Sequence, residues 1–397
     1  MATHSPNHNV PRVLLVGPYE RDNVGDLLFL LVTERYLPDA RITASAPFGA
    51  DMTALLDREV HAYGPLLRRE RFDAVWTVGG QVGAVDLGRA FRMSAPDAEY
   101  EAFVRGSRLR RRAVLRRAVG GPRPISPYMP VPIAGTPSVL NSVGLSGIRD
   151  VEQPRRDALI SILRRQSLIA VRDRISSRYL DELGVGHRLV PDAVHALGVL
   201  RPGDPDPDSN VAIFQASRTI LRKLGHDRVA AQLAGARALR GLKLRLLMAG
   251  TARGHDTIDD HARVAASVRR ASPEADVEIL HERRPYDIVD QIQRARVVIG
   301  TSLHVRIIAC AYGVPRVTLV RRKPTGYSQT WDPHMPHNVP IEHLNDAVEA
   351  ALSSARRPEV AARSAELSQL AHEHLGDLAR RVMSGELKAG LVPATAA

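Results

Sequence analysis

Residues 297–320 read VVIGTSLHVRIIACAYGVPRVTLV, and this stretch decides the fold of the chain. Val297 to Ile299 and Val317 to Val320 are short, uninterrupted apolar runs, which are typical of parallel strands covered on both faces. Between them, Leu303 to Tyr312 has the composition of a buried helix, and Gly313 is where that helix is expected to end. The order strand, turn, helix, strand predicts a parallel α/β sheet.

The turn of this unit is the first candidate site. It contains Gly300, Thr301 and Ser302 and lies at the carboxyl end of a strand, where open α/β sheets bind their ligands. His304 and Arg306 open the following helix, whose free N–H groups and positive dipole end favour anions. The sequence therefore predicts that an anion binds at this turn.

A second turn of the same kind lies near the start of the chain. Pro18 to Asp26, PYERDNVGD, joins a predicted strand at Val13 to Gly17 to a predicted apolar helix at Leu27 to Tyr36. Its Asn23 and Asp26 can contribute to an anion or sugar site, or they can simply cap the helix. Its spacing is that of neither a Walker loop nor a dinucleotide fingerprint.

Two further strand ends add candidate residues. Ala74 to Val78 runs into Gly79 and Gly80, where the backbone can approach a ligand closely. Leu168 to Val171 is followed by Arg172, which is expected to project toward the same cleft as the other turns.

The composition limits the classes of partner. The net charge of +12 over 397 residues indicates an anionic partner or substrate, unless it reflects only a general arginine bias. Aromatic residues make up 4% of the chain, which leaves few stacking platforms and argues against nucleic acid. The lone Cys310 rules out an intrachain disulfide and suits a reducing cytoplasm. A cytoplasmic location is expected, because Met1 to Asn9 is polar and no apolar run approaches the roughly 18 residues that span a bilayer.

A segment rich in proline and aspartate marks the expected division into domains. Arg201 to Ser209, RPGDPDPDS, cannot extend a helix or a strand and is predicted to be the interdomain linker. Strands alternate with helices on both sides of it, which predicts Rossmann-like domains at 1–200 and 210–340. Residues 341–397 are predicted to form helices and a tail.

A basic segment stands out in the first domain. Glu99 to Val119 is predicted to be one helix and carries RLRRRAVLRR at Arg108 to Arg117. Such a face is a candidate for peripheral contact with an acidic membrane or polymer, although a solvated run of charges is the commoner explanation. The proline-rich segment Gly121 to Pro137 is predicted to be an ordered loop or a mobile lid.

Together the turns form an ordered set of motifs. The set comprises Asn23-Val24-Gly25-Asp26, Gly79-Gly80, Val171-Arg172-Asp173 with Ser176 and Gly184, Pro191-Asp192, and Ser302-Leu303-His304 with Gly313-Val314-Pro315. This series resembles the polysaccharide pyruvyl transferase family over roughly Val13 to Val320. The chain departs from many relatives at Gln81 and Val305, where they carry glycine, at Ser302, where they carry arginine, and at Leu27, where they carry an acidic residue.

The resemblance implies two Rossmann-like domains arranged as in GT-B glycosyltransferases, with the acceptor on the N-terminal side and the donor on the C-terminal side of a cleft. It also implies that phosphoenolpyruvate gives its enolpyruvyl carbons to a sugar or glycan acceptor, lipid-linked acceptors included. The product is a pyruvate ketal on two hydroxyls, with release of phosphate. His304 matches the family's functional histidine, and Arg172 matches the arginine that follows the strand.

The chemistry of phosphoenolpyruvate suggests a role for each candidate. Its two anionic groups need fixed cations, for which Arg172 and Arg306 are the first choices. The other expected donor-binding residues are Ser302, Arg321, Arg322 and Lys323. His304 is expected to protonate the methylene carbon as general acid, and the base is Asp26 or Asp192. The expected acceptor-binding residues are Asn23, Gly25, Gly79 and Gly80.

Two other functions fit the sequence. A GT-B-like glycosyltransferase would use a nucleotide sugar, with the turn at Ser302 to His304 cradling its diphosphate. A non-enzymatic basic binding protein would depend on Arg108 to Arg117 instead. No metal or resident cofactor is expected, because the histidines are scattered and form no HExxH pair.

Overall fold

The computed structural model describes residues 10–203, 206 and 208–389. Its first β-sheet contains β1 (Arg12–Val16), β2 (Arg41–Ala46), β3 (Ala50–Asp51), β4 (Glu59–Ala62), β5 (Ala74–Val78), β6 (Ser138–Val143), β7 (Leu168–Val171) and β8 (Arg188–Leu189). Their spatial order is β3-β4-β2-β1-β5-β6-β7-β8. All neighbours pair in parallel except β3 and β4, which are antiparallel.

The helices of this half of the chain connect the strands. They are α1 (Val24–Glu34), α2 (Thr53–Leu56), α3 (Tyr63–Arg69), α4 (Leu87–Ser94), α5 (Asp97–Arg105), α6 (Arg108–Ala118), α7 (Gln153–Arg164), α8 (Arg174–Glu182) and α9 (Leu197–Leu200). Short 3₁₀ turns lie at Ile148–Asp150 and Ala193–Ala196.

The second sheet is entirely parallel. It contains β9 (Val211–Gln215), β10 (Lys243–Leu246), β11 (Val277–Ile279), β12 (Val297–Gly300) and β13 (Arg316–Thr318), in the order β11-β10-β9-β12-β13. Its helices are α10 (Arg218–Leu224), α11 (His226–Gly235), α12 (Ile258–Ala271), α13 (Pro285–Gln293), α14 (Leu303–Ala311), α15 (Arg322–Trp331), α16 (Leu344–Ser354) and α17 (Pro358–Met383).

The strands nearest the candidate turns read as apolar runs because they lie inside the molecule. Every residue of β5 and of β12 is buried, as expected for parallel strands that helices cover on both faces. The unit predicted from residues 297–320 is confirmed as β12, α14 and β13. Gly313 has a φ of +68° directly after the helix, which is the left-handed conformation of a C-terminal glycine.

Helix α1 joins the two halves through apolar contacts. Nine of its eleven residues are buried. Leu27 and Phe29 belong to the same core cluster as Ile288, Leu303 and Val305 of the second half. Burial of each such side chain is worth about 1.5–3 kcal/mol, so α1 contributes strongly to holding the halves together.

The C-terminal helices also connect the halves. Helix α17 packs against the Ala193–Ala196 turn of the first half and against α14 of the second. The predicted helical segment after Ile341 is therefore present and contacts both halves. None of the helices that the structure describes is long and apolar enough to span a lipid bilayer.

Several predicted boundaries are wrong. The single helix expected at Glu99 to Val119 is two helices, α5 and α6, because Gly106 adopts an extended conformation between them. Helix α1 begins at Val24 rather than Leu27, which brings Gly25 and Asp26 into its first turn.

The domain boundaries stay predictions. The first sheet ends at Leu189 and the second begins at Val211, and the predicted linker 201–209 lies between them. Residues 204, 205 and 207 of that linker lie outside the described residues, as do 1–9 and 390–397.

Candidate active site

A cavity of about 590 Å³ lies between the two sheets. Loops at the carboxyl ends of β1, β5, β9 and β12 contribute to its wall, as is usual in open parallel sheets. Its polar lining comprises Arg21, Asn23, Asp26, Gln81, Arg89 and Ser146 from the first half and Gln215, Ser217, His255, Asp256, Thr301, Ser302, His304, Arg321, Arg322 and Lys323 from the second. The cavity therefore belongs to both halves of the chain.

His304 lies where the two halves meet. It is the second residue of α14 and is 6% exposed. Its Nε2 lies 3.8 Å from Oδ2 of Asp192 and 3.4 Å from Nη1 of Arg172. Arg172 and Asp192 follow β7 and β8 and form a buried ion pair at 2.5 Å. The structure thus brings three of the predicted site residues together.

Burial and charge set the protonation of this group. Burial would raise the pKa of the Asp192 carboxyl, but Arg172 and His304 outweigh it and hold that pKa well below its usual range. Burial lowers the pKa of His304, and the hydrogen bond and charge of Asp192 offset this only in part. His304 is therefore neutral at neutral pH without a ligand.

Helix α15 supports the ion pair from the second half of the chain. The indole Nε1 of Trp331 donates to the carbonyl oxygen of Arg172 at 2.8 Å. The hydroxyl of Tyr327 accepts from the backbone N–H of Asp192 at 2.9 Å and lies 3.0 Å from Nε2 of His195. These contacts fix the backbone on which both charged side chains stand.

Two glycines make the position of His304 possible. Gly25 faces the imidazole, and a Cβ built on it would lie 1.7 Å from Nδ1 of His304. The ring of Phe29, one turn further along α1, meets the imidazole edge to face, with 5.2 Å between the centroids. Gly79 has a φ of +64° and leaves room for that ring, because its Cβ would lie 2.2 Å from Phe29. Both glycines therefore shape the packing around the histidine.

The structure does not support acceptor binding by the predicted glycines. Gly25, Gly79 and Gly80 are not among the described residues that line the cavity. The N–H of Gly79 donates to the carbonyl oxygen of Asn141, and the carbonyl oxygen of Gly80 accepts from the N–H of Gly144. These backbone groups extend the pairing of β5 with β6, so they are not free for a ligand.

Asn23 and Asp26 both line the cavity, as predicted. Oδ1 of Asn23 accepts from the backbone N–H of Gly25 at 3.2 Å and so caps α1. Asp26 accepts from Arg21 at 2.9 Å. Burial would raise the pKa of Asp26, but Arg21 and then His304 lower it on balance, so this carboxylate is ionised.

Arg306 lies away from the cavity, contrary to the prediction that it binds the donor. Its guanidinium is buried, pairs with Asp332 at 2.8 Å and donates to the backbone carbonyl of Met335 at 3.0 Å. The error has a geometric cause, because two residues along an α-helix turn by about 200°. A side chain two positions after His304 therefore points to the opposite side of α14.

The N-terminus of α14 is partly occupied by the protein itself. The buried Gln215 accepts from the backbone N–H groups of Thr301 and Ser302, at 3.1 and 2.9 Å, through one amide oxygen. Ser302 makes no side-chain cap. It lines the cavity as predicted, but two of the amide groups expected to bind an anion are already used.

Three cations at the start of α15 line the cavity as predicted. Arg321, Arg322 and Lys323 form no ion pair with any of the residues that the structure describes. Enclosure by the cavity walls, followed by the charge of Arg172, lowers the pKa of Lys323 to about 8. The side chain keeps surface that water reaches, which limits this lowering. Arg89 of α4 also lines the cavity and forms no ion pair with any residue that the structure describes.

Asp256 is a site residue that the sequence analysis missed. It is 2% exposed and lines the cavity, where it accepts from Nε2 of Gln215 at 2.9 Å and from the backbone N–H of Ala249 at 2.7 Å. Burial raises the pKa of this carboxyl to about 7. The only signal in the sequence is the pair His255-Asp256 in the loop after β10, and a His-Asp pair alone is too common to single out.

A second, larger concavity carries none of the predicted residues. It has a volume of about 680 Å³, and its wall includes Leu31, Arg35 and Tyr286. Its charged groups are largely paired, since Arg201 contacts Asp290 at 2.8 Å. We therefore take the cavity lined by His304 as the candidate active site.

Solved structures share this fold. The UDP-GlcNAc 2-epimerase from Methanocaldococcus jannaschii has a TM-score of 0.55 at 10% identity, over 93% of this chain and 99% of that one. A putative UDP-N-acetylglucosamine 2-epimerase from Listeria monocytogenes has a TM-score of 0.54 at 12% identity, over 94% of each chain. Sucrose-phosphate synthase from Thermosynechococcus elongatus has a TM-score of 0.51 at 12% identity, over 94% and 100%. The chain is therefore an α/β protein of two Rossmann-like domains in the GT-B arrangement, as predicted.

The sequence itself gives the family. The family model described as polysaccharide pyruvyl transferase matches residues 118–322, just over half of the chain. The protein thus belongs to the polysaccharide pyruvyl transferase family, whose description is that of a transferase acting on polysaccharide. None of the curated proteins compared with the chain matches it.

Replacing Gly25 with alanine tests the contact between α1 and His304. The added methyl group overlaps the imidazole, so the ring or the helix must move, and overpacking of this kind costs about 1–3 kcal/mol. We expect a loss of that size in the free energy of unfolding, measured by urea denaturation. Gly376→Ala in α17 is the control, because no atom lies near its added methyl group and alanine favours the helix. Equal effects of the two substitutions would contradict the prediction.

The stability of wild type relative to Asp256→Asn should depend on pH. The pKa of Asp256 is about 7 in the folded protein, against 3.8 ordinarily, so the folded protein keeps a proton that the unfolded chain releases. The stabilisation from this carboxyl is fully present below about pH 4 and is lost as pH rises through 7, by roughly 1.4 kcal/mol per pH unit. Urea denaturation at several pH values should therefore show that the free energy of unfolding of Asp256→Asn increases relative to that of wild type as pH rises. A difference that stays constant would mean that the carboxyl titrates normally.

Proposed function

We propose that the protein transfers the enolpyruvyl carbons of phosphoenolpyruvate to a sugar or glycan acceptor and forms a pyruvate ketal. The observation that carries the proposal is the buried group of Arg172, Asp192 and His304 beside a cavity whose cations form no ion pair with the described residues. Membership of the pyruvyl transferase family supports it. We propose that the acceptor is a polymer repeat or a lipid-linked sugar, and that the reaction takes place in the cytoplasm.

The donor side fits a small molecule with two anionic groups. Arg321, Arg322 and Lys323 line the cavity and can pair with the phosphate and the carboxylate of phosphoenolpyruvate. Arg172 was also expected to bind the donor, but it is 1% exposed and is not among the described residues that line the cavity, so we propose that it positions Asp192 and His304 instead. Arg306 has no part in this proposal, since its hydrogen bonds lie inside the second half.

Ketal formation requires two bonds to the same carbon. The first acceptor hydroxyl adds to the carbon that bears the phosphate and gives its proton to a base, while the methylene carbon takes up a proton and becomes methyl. The second hydroxyl then bonds to the same carbon and gives up its proton to the departing phosphate, while the bond from that carbon to the phosphate oxygen breaks and its electron pair stays on that oxygen. Phosphate leaves, and two groups on the protein must exchange protons with the substrates.

Two residues are suited to deliver the proton to the methylene carbon. His304 is neutral in the free protein, but an anion bound beside it raises its pKa and lets it enter the reaction protonated. Asp256 has a pKa of about 7 and is therefore protonated in a large fraction of the molecules near neutral pH. We propose His304 as the acid and Asp256 as the alternative. The pH–rate profiles of the variants Asp256→Asn and His304→Gln, compared with the profile of wild type, distinguish the two candidate acids.

Asp26 is the better candidate for the base. It lines the cavity and is ionised, whereas Asp192 is 0% exposed and is not among the described lining residues. We therefore propose that Asp192 orients His304 and holds Arg172, and that Asp26 accepts the proton of the acceptor hydroxyl. Asn23, beside it in the wall, can hydrogen-bond the acceptor sugar.

Glycosyl transfer from a nucleotide sugar is the second candidate function. The fold is shared with enzymes whose names include UDP-GlcNAc, and the cavity has room for a larger donor. However, a diphosphate at the turn before α14 would compete with Gln215 for the N–H groups of Thr301 and Ser302. This contact favours the smaller donor, phosphoenolpyruvate.

Isothermal titration with phosphoenolpyruvate and with UDP-GlcNAc tests the donor. We expect phosphoenolpyruvate to bind wild type, and Lys323→Gln to weaken it about 10- to 100-fold, since hydrogen bonds to charged groups contribute roughly 1.5–3 kcal/mol. Lys223→Gln is the matched control, because Lys223 is exposed on α10 and outside the cavity lining. Binding of UDP-GlcNAc without binding of phosphoenolpyruvate would contradict the pyruvyl transferase proposal and support the glycosyltransferase.

Donor binding near pH 8 should be accompanied by proton uptake. Desolvation and then the charge of Arg172 lower the pKa of Lys323, so a fraction of its ammonium groups is deprotonated there, and a bound anion restores their charge. The titration repeated in buffers of different ionisation enthalpy should show uptake of a fraction of a proton by wild type. Lys323→Gln should take up much less. Uptake that is unchanged in this variant would exclude Lys323 from the donor site.

A further inference from the structure

Helix α6 has one face that packs inward. Leu115 is 7% exposed and lies in the core cluster of Phe91 and Phe103, whose rings are 5.1 Å apart. Arg111 also contacts the protein, because its Nε donates to the carbonyl oxygen of Phe103 at 2.9 Å. Ser107 caps the helix by accepting from the backbone N–H of Arg110. These contacts fix α6 rigidly on the protein and decide which face points outward.

The outward face of α6 combines an apolar strip with cations on both sides. Leu109 is 76% exposed, and Ala113, one turn further, is also exposed. At 100° per residue, the arginines at 110 and 117 flank this strip on one side and those at 112 and 116 on the other. All four are exposed, and their side chains form no ion pair or hydrogen bond with the residues that the structure describes.

We propose that this face docks the protein on an anionic lipid bilayer. Guanidinium groups bind phosphate well, and a cluster of basic residues on an amphipathic helix attracts acidic headgroups. Leu109 and Ala113 supply apolar surface that can enter the boundary between headgroups and acyl chains. A soluble polyanion would make no use of an exposed leucine between four arginines, which is why we infer a lipid surface.

The position of α6 gives the contact a consequence for the site. Helix α6 packs against α4. Two residues of α4, Arg89 and Met93, line the cavity together with His304. A protein docked through α6 therefore holds one wall of its cavity close to the lipid surface. Acceptors anchored in the membrane would be presented there. The docking itself does not depend on the proposed reaction.

Co-sedimentation with vesicles tests the proposal. Wild type should bind vesicles of mixed phosphatidylcholine and phosphatidylglycerol, and not vesicles of phosphatidylcholine alone. Basic residues near a charged bilayer contribute about 1 kcal/mol each, which is about fivefold in affinity. We therefore expect the variant R110Q/R116Q/R117Q to bind about 100-fold more weakly.

A matched variant separates this surface from the net charge. R240Q/R263Q/R356Q removes three exposed arginines of the second half that form no ion pair with described residues, and it should bind like wild type. Circular dichroism of both variants establishes that they are folded. Equal loss in the two variants, or no binding by wild type, would overturn the proposal. Competition by soluble glycerol phosphate as strong as that of vesicles would also overturn it, since that outcome indicates a headgroup site rather than a bilayer.

A fluorescent label tests the orientation independently of affinity. Leu109→Cys, labelled with an environment-sensitive dye, should shift to shorter wavelength with acidic vesicles, while the native Cys310 is buried and stays unlabelled. Leu370→Cys on α17 is the control and should not respond, although Leu370 is also exposed. A response at Leu370 and none at Leu109 would mean that another face meets the lipid.

Discussion

The buried ion pair between Arg172 and Asp192 is the contact on which the site depends. Removing two charges from water is expensive, and a buried pair is tolerated only if each partner is well placed and further hydrogen bonds satisfy it. Here the backbone of both residues is held by Trp331 and Tyr327 of α15. The pair belongs to the first half of the chain and its supports to the second. The two halves must therefore come together before these charges can be buried at low cost.

The same pair determines what His304 can do. The imidazole lies between an ionised carboxylate and a guanidinium, with Phe29 against its edge. Burial keeps it neutral, yet the carboxylate beside it makes protonation possible once an additional anion arrives. This arrangement links the charge of the histidine to occupancy of the cavity. In the proposed mechanism, His304 is therefore unprotonated in the free protein and becomes an acid when the donor binds.

The sequence revealed those parts of the fold and site that local patterns determine. β5 and β7 were placed to the residue, because a glycine follows the first and a charged residue follows the second. The motif turns that contain Asn23, Arg172 and His304 were also found, since each lies at the carboxyl end of a predicted strand. Arg306 was misjudged because proximity in sequence was taken for proximity in space, while the helical period sends it to the opposite face.

Other parts depend on contacts that no local pattern records. Helix α15 reads RKPTGYSQTW, in which Pro324 and Gly326 suggest a loop, although proline is tolerated in the first turn of a helix. Asp256 acquires its raised pKa from burial in the fold, which outweighs the lowering by its hydrogen bonds from Gln215, 41 residues earlier in the chain, and from Ala249. Gly25 looked like part of a ligand-binding loop, and only the fold shows that it leaves space for His304.

The contact between the halves also limits how the cavity can open. Near Gly25 the backbone N–H of Val24 donates to the carbonyl oxygen of Ala249 at 2.8 Å, and Asp22 accepts from the backbone N–H of Thr251 at 3.0 Å. Gly250 fits there because a Cβ would lie 2.5 Å from the carbonyl oxygen of Asp22. Such close backbone contacts cannot slide without breaking several hydrogen bonds at once. They therefore resist separation of the loop before α1 from the loop after β10, close to Asp26 in the cavity wall.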